Sequence, residues 1–437
     1  MDSGALEMLA QEARALLTRL QRVKPFALYE SAVPAASISP NAHIAIERHL
    51  AEGRKELRQQ VHAFLRWLQP PGNSQRPTPA EAQRRYTFLR LKFNAVLSQF
   101  DIFADALTQR SEHETGIWLS GLDALATDAL ALPAYHPAPP VICYLDRGGG
   151  AAIRRARTRL PGGGQNPVAI IRMPRERLIG SGIASSLIHE VGHQAAALLG
   201  LVNSLQPALQ DMQRRNREAM VWQYWQRCIS EILSDFWSIA KVGVGSTLGL
   251  IGVVSLPRPF VFRVNLDAPH PIPWVRVKLS CAIGQALYPD PQWARLANRW
   301  ESLYPTAGLA ASKRSLLMQL EAAMPDFVKL LIHHRPPSLH GQSLLEAMQV
   351  EKRQPKRLAA YYNQWRASPT QLYRAPPSLV FAVIGQAKMN QVISPEAESH
   401  ILDKLLTHWA LRRTLRSSAI CASRSSTPAG ALVTRDT

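Results

Sequence analysis

Two histidines four residues apart, His189 and His193, are the feature that most constrains how this chain can fold. On an α-helix that spacing places both imidazoles on one face, one turn apart. Apolar residues recur at helical spacing along the same segment, at Ile183, Leu187, Val191 and Leu198. We therefore predict a helix over residues 181–199 that ends before Gly200, with its apolar stripe packed against the protein and both imidazoles facing a common point.

Glu190, directly after the first histidine, makes this helix a candidate for catalysis. Two imidazoles one turn apart can bind a single zinc ion, and a carboxylate beside them can take a proton from a zinc-activated water. The pattern His-Glu-x-x-His also occurs by chance, but a chance match has no reason to fall in a helix with an apolar stripe. We predict a Zn²⁺ site with His189 and His193 as ligands and Glu190 as general base.

A third ligand is needed, because catalytic zinc is held by three protein side chains and keeps an open position. The extended motif with a third histidine is absent, since Ala196 and Leu199 occupy the relevant positions. Glu231 and Asp235 are four residues apart in an apolar segment that we predict to be one helix over residues 211–240. Carboxylates among apolar residues are costly to bury unless they are paired or bind a metal. We predict that Glu231 binds the metal and that Asp235 accepts a hydrogen bond from a ligand histidine; a solvent-exposed acidic face is the alternative.

These motifs, in this order, resemble the gluzincin zinc metallopeptidases and, within them, the Ste24/HtpX-like family. The resemblance covers roughly residues 140–290. It includes His270, which precedes a proline and is followed by Arg276, as in a family element that comes after the zinc ligands. The resemblance implies that His270 stabilises the tetrahedral intermediate and that Arg276 holds the carboxylates of the site in place.

The resemblance also implies a strand before the first metal-binding helix that binds an extended peptide by edge pairing. Residues 168–173 have the β-branched, apolar composition of a strand and stand at that place. The expected substrate-binding positions are Val168, Ala169, Ile170 and Ile171. A strand with a purely structural role is the alternative.

The distribution of apolar residues predicts a mostly helical α+β protein with a small sheet between helical flanks. The resemblance implies that a gluzincin-like zinc peptidase core lies between those flanks. A second short strand is expected over residues 141–145. The composition changes at a proline-rich linker over residues 132–140 and again near a Ser/Thr-rich end. We predict an N-terminal helical region, a zinc metallopeptidase core, a C-terminal helical region and a disordered tail, over residues 1–135, 136–300, 301–416 and 417–437.

The formal net charge of +19 keeps other functions open. A basic surface is compatible with a DNA-associated protease or a DNA-binding protein, although no nucleic-acid motif and no dense run of Lys and Arg supports it. A non-catalytic interaction module that contains zinc is a further alternative. The glutamate at position 190 favours an enzyme, because a structural zinc site does not need it. The partner that we expect is a protein or peptide substrate.

Cellular location is predicted from the cysteines and the apolar segments. The four cysteines are far apart and form no CxxC pair, which argues against a disulfide framework or a thiolate metal site. The most apolar segment, residues 242–256, is shorter than the roughly 20 residues of a membrane-spanning helix. The N-terminus lacks the basic start and apolar run of a signal peptide. We therefore expect a cytoplasmic hydrolase, a zinc metalloendopeptidase, without a transmembrane segment.

Overall fold

The computed structural model describes residues 2–22, 33–69, 76–132, 134–148, 150–175, 180–215 and 218–425. These residues are mostly helical and include one small mixed sheet, as predicted for a mostly helical α+β protein. The last helix continues to Ser425, beyond the predicted start of a disordered tail at residue 417, and residues 426–437 lie outside the described residues.

Three long helices form the N-terminal part of the described chain. They are α1 (Asp2–Arg22), α2 (Pro40–Leu68) and α3 (Pro79–Thr108). Ser39 caps α2 by accepting a hydrogen bond from the amide of Ala42, and Thr78 forms a capping box with Glu81 at the start of α3. The buried side chains of these helices form a first hydrophobic core.

The remaining helices and strands come after α3 in the chain. They are α4 (His113–Leu130), β1 (Val141–Asp146), β2 (Ala152–Arg154), β3 (Ala169–Pro174), α5 (Ser181–Leu198), α6 (Leu201–Arg215), α7 (Ala219–Val242), α8 (Val244–Val254), α9 (Arg258–Val261), α10 (Pro273–Leu287), α11 (Gln292–Leu303), α12 (Ala311–His333), α13 (Leu344–Ala347), α14 (Pro355–Ala367), α15 (Pro369–Arg374), α16 (Pro377–Met389) and α17 (Pro395–Ser425). The predicted helix at residues 181–199 is confirmed as α5.

The single helix predicted over residues 211–240 is wrong, because its first residues belong to α6 and α7 begins only at Ala219. Two buried leucines of α6, Leu205 and Leu209, belong to the same core as α7, and α6 packs against α7. One continuous helix would carry these leucines away from that surface, so the chain has to reverse between the two helices.

The sheet has the strand order β1-β3-β2, with β1 parallel and β2 antiparallel to β3. Because side chains alternate along a strand, its two faces enter different cores. Ile142 and Ile170 face the N-terminal helices, whereas Cys143 and Ile171 face a second, larger core. The sheet therefore separates the two cores.

The second core contains the predicted peptidase region and most of the helices C-terminal to it. Buried residues of α5, α7, α8, α10, α12, α16 and α17 share it. Helix α4, which lies within the predicted N-terminal region of residues 1–135, also joins this core and packs against α17. Packing thus groups α4 with the second core, and it continues across residue 300 without a break.

The described residues include no membrane-spanning helix. No helix in that part of the chain has the length and apolarity needed to cross a bilayer. Cys143, Cys228 and Cys281 are buried free thiols.

Candidate metal centre

The site is built where α5 crosses α7, and the crossing depends on Gly192. A Cβ atom at this position would lie 2.7 Å from Cα and 2.9 Å from the carbonyl oxygen of Ser234. Those distances are too short for any side chain, so only glycine allows the two helix backbones to approach this closely. The glycine inside the His-Glu-x-x-His motif therefore brings the histidines of α5 to the carboxylates of α7.

Three predicted ligands converge at the crossing. Nε2 of His189 lies 3.1 Å from Oε2 of Glu231, and Nε2 of His193 lies 3.4 Å from Oε1 of the same carboxylate. Metal bonds of about 2.0–2.1 Å in a tetrahedral arrangement separate neighbouring donor atoms by about 3.3 Å. The ligand atoms of all three residues lie within 4.8 Å of one another, and their side chains are 10–16% exposed. This group could hold a metal ion.

The other ring nitrogen of His189 is held by Asp235 and Arg276. Nδ1 of His189 lies 2.8 Å from Oδ1 of Asp235, as the sequence predicts. Arg276, on α10, donates from Nε to Oδ2 at 2.6 Å and from Nη2 to Oδ1 at 2.8 Å. This two-pronged ion pair fixes the carboxylate, and the carboxylate orients the imidazole so that Nε2 faces Glu231.

His193 has a partner that the sequence reasoning missed. Oγ of Ser230 lies 3.3 Å from Nδ1 of His193. Ser230 immediately precedes Glu231 on α7, so a search for polar residues adjacent to each predicted ligand would have found it. Both ligand histidines thus have the ring nitrogen opposite the metal position engaged by α7.

The charges of the site are mutually compensated. Burial disfavours the charged form of His189, but hydrogen bonds to Asp235 and Glu231 outweigh burial and raise the pKa of His189 to about 9. Burial also acts against the charged carboxylate of Glu231, yet the two neighbouring histidines hold its pKa well below the usual range. The pKa of Asp235 is likewise lowered despite burial, mainly by Arg276. Glu231 and Asp235 are therefore anionic, the form that binds metal and accepts hydrogen bonds.

Glu190 differs from the other carboxylates of the site. Its side chain is buried, and its carboxylate accepts no hydrogen bond from the part of the chain that the structure describes. Burial raises the pKa of Glu190, in contrast to the lowered pKa values of Glu231 and Asp235. A carboxylate without a fixed partner and with a raised pKa is suited to exchange a proton.

His270 reaches the same point from the loop that precedes α10. Its Nε2 lies 3.3 Å from Oε2 of Glu231, and its side chain is 60% exposed. The loop is held where the amide of Ile272 donates to the hydroxyl of Tyr224 at 2.6 Å. Burial lowers the pKa of His270. The exposed histidine therefore stands at the solvent side of the buried ligand group.

The predicted substrate-binding strand has a different position from the one expected. Val168 precedes β3, and Ala169, Ile170 and Ile171 lie in it. β3 is the central strand of the sheet, paired with β1 on one side and with β2 along Ile170–Arg172 on the other. The expectation of a free edge is wrong at Ile170 and Ile171, because β2 pairs with them. The outer strand nearest to α5 is β2, since α5 packs against β2 and β3 but β1 is covered by α3 and α4.

Comparisons with known proteins found no match. No family model, no curated protein and no solved structure matches the chain. The chemistry of the site therefore rests on its own residues.

Proposed function

We propose that this chain is a zinc-dependent metalloendopeptidase of the gluzincin type, similar to the Ste24/HtpX-like family. The observation that carries the proposal is the convergence of His189, His193 and Glu231 on one point, with Glu190 beside them and without a partner among the described residues. If the cluster were only a structural network of ion pairs, it would not need the buried carboxylate of Glu190, which accepts no hydrogen bond from the described residues.

Zinc is the metal that this donor set favours. Two imidazoles and one carboxylate are a ligand set of catalytic zinc, and three protein ligands leave one position open. Calcium and magnesium prefer sites made entirely of oxygen ligands, which this site is not. When bound, zinc supplies a Lewis acid that lowers the pKa of a water molecule to about 7 and polarises a carbonyl group.

The protein's own residues have distinct roles in the proposed hydrolysis. Glu190 takes a proton from the attacking water, whose oxygen bonds to the peptide carbonyl carbon, and passes that proton to the leaving amine as the C–N bond breaks. His270, exposed at the solvent side, donates a hydrogen bond to the oxygen of the tetrahedral intermediate. Asp235 and Arg276 hold His189 in one orientation throughout.

The proposal is tested by metal content and cleavage of a peptide library with the full chain. We expect one zinc per chain and cleavage that Glu190→Gln reduces by about 10²–10⁴-fold while zinc remains bound. Glu52→Gln is the matched control, because Glu52 is exposed on α2, far along the chain from the site.

Two results would contradict the proposal. If the purified chain contains no stoichiometric metal, the proposed zinc site is contradicted. Stoichiometric zinc without cleavage of any library peptide, together with partner binding that survives Glu190→Gln, would instead support a non-catalytic zinc-containing module.

A further inference from the structure

An exposed basic hairpin continues from the outer strand of the sheet. After β2 the chain forms a tight two-stranded turn, which we call the arginine hairpin (residues 154–166), closed by an antiparallel bridge between Arg159 and Gln165. Four of its residues are exposed arginines, namely Arg154, Arg155, Arg157 and Arg159. None of the four forms an ion pair with a residue that the structure describes. Their charges are therefore available to a ligand.

The arginine hairpin is joined directly to the metal-binding helix. The amide of Ala156 donates to Oε1 of Gln194 at 2.8 Å, and both residues are buried. Gln194 immediately follows the metal ligand His193 on α5. The start of the arginine hairpin is thus held beside the candidate site, although its charges play no part in the proposed reaction.

The backbone of the arginine hairpin is held in one conformation. Asn166 is buried, donates from Nδ2 to the carbonyl groups of Arg154 and Arg155, and accepts from the amide of Arg157 at 2.8 Å. At the far end, Gln99 of α3 donates to the carbonyl of Gly163 at 3.1 Å. The arginine backbone is therefore ordered before any ligand binds, which lowers the entropic cost of binding.

Arg157 adds evidence that the arrangement serves a ligand. Its φ angle is +64°, in the left-handed region that residues other than glycine adopt at a cost in free energy. A glycine would satisfy this backbone more easily, yet the position carries a fully charged side chain. Such strain is kept where the surrounding structure enforces it, and it concentrates at binding sites.

The two faces of β2 point to different surroundings. Ile153 packs against the second core, on the side of α5. Arg154 is paired with Ile170, whose side chain faces the first core, and it lines a cavity of about 610 Å³. Arg155 and Arg172 also line this cavity, with Asp105 as an opposing charge, and Arg172 is paired with Asp146 at 3.6 Å. A peptide beside β2 would direct alternate side chains to α5 and to this basic cavity.

We propose that an extended peptide binds along the outer side of β2 and places acidic side chains, at alternate positions, against the arginine hairpin. This assigns acidic peptides as the preferred substrate class, and in that respect it rests on the proposed function. A peptide fits better than a nucleic acid, because the outer strand offers backbone hydrogen bonds to an extended chain while the arginines supply the complementary charge.

The test uses the full chain carrying Glu190→Gln, so that binding is measured without cleavage. The probes are three fluorescent peptides of one unstructured sequence, with Glu, Gln or Lys at alternate positions. We expect the Glu peptide to bind most tightly and to lose its advantage as salt rises. Replacing Arg155 and Arg157 by Gln should weaken its binding about three- to tenfold and leave the Gln peptide unaffected. Arg58→Gln with Arg295→Gln, two exposed arginines elsewhere, is the matched control.

The outcomes separate this inference from the proposed function. Equal binding of the three peptides, with zinc-dependent cleavage by the unaltered chain, overturns the inference and leaves the peptidase standing. Selective binding of the Glu peptide through Arg155 and Arg157 supports the acidic-peptide surface even if nothing is cleaved. Duplex DNA that displaces the Glu peptide and binds more tightly than it, through the same arginines, overturns the peptide as occupant.

Discussion

The candidate metal centre and the arginine hairpin lie against the same helix but are built in opposite ways. In the metal centre the charged side chains of α5, α7 and α10 neutralise one another in a buried network. In the arginine hairpin the backbone is fixed by hydrogen bonds, and the charged side chains face solvent without ion-pair partners among the described residues. Buried networks lose stability when one member is removed, whereas exposed charges change recognition more than folding.

Breaking the buried network should reduce stability and metal affinity more than the other substitutions do. Arg276→Gln removes both bonds to Asp235 and leaves that carboxylate buried without its cation. We expect the free energy of unfolding to fall by about 3–5 kcal/mol and metal affinity to fall about 10–100-fold. Chemical denaturation and zinc competition measure the two quantities.

The control for this substitution is Arg215→Gln, which breaks an exposed pair with Asp211 on α6. It should change stability by less than about 1 kcal/mol and leave zinc affinity unchanged. Equal effects of the two substitutions would mean that Arg276 does not orient the ligands.

Widening the crossing of α5 and α7 should have an intermediate effect on stability. Gly192→Ala forces α5 and α7 apart, because the new methyl group would overlap the backbone of Ser234. We expect a loss of about 1–3 kcal/mol in stability, measured by denaturation, together with weaker zinc binding. Gly252→Ala, on α8, is the matched control, since a methyl group there meets nothing within 4 Å and alanine favours helix by about 1 kcal/mol. Retention of full zinc affinity by Gly192→Ala would show that the close approach is unnecessary.

The smallest effect on folding is expected at the arginine hairpin. Arg157→Gly relieves the left-handed conformation and should raise stability by at most about 1 kcal/mol, measured by denaturation. Binding of the Glu peptide should weaken at the same time, because a charge is lost. A fall in stability would mean that the Arg157 side chain supports the fold and that the contrast between the two regions is incomplete.

The candidate metal ligands were predictable from the sequence because both helices carry their functional groups four residues apart. His189 and His193 on α5, and Glu231 and Asp235 on α7, each share a face for that reason. Because buried carboxylates need a partner, we predicted that the two helices contact each other at these residues. The distances between their side chains agree with that prediction. Local periodicity and the cost of burying charge were sufficient for this prediction.

The arrangement of the strands in the sheet could not be predicted in the same way. A strand near residues 168–173 was predictable from composition, but its central position was not. β2 is only three residues long and carries no recognisable period, so nothing local indicates that it pairs with β3. The outer strand at this side of the sheet is therefore β2, which was not predicted from the sequence.

By itself the sequence determined which residues of this protein share a helical face, and through them the donor set of the candidate metal site. Only the tertiary structure decided how the elements meet: α4 packs with the second core, Ser230 lies beside His193, and β2 borders α5. The physical reason is that helical spacing repeats every few residues, whereas strand pairing and helix crossing depend on contacts between residues far apart in the chain.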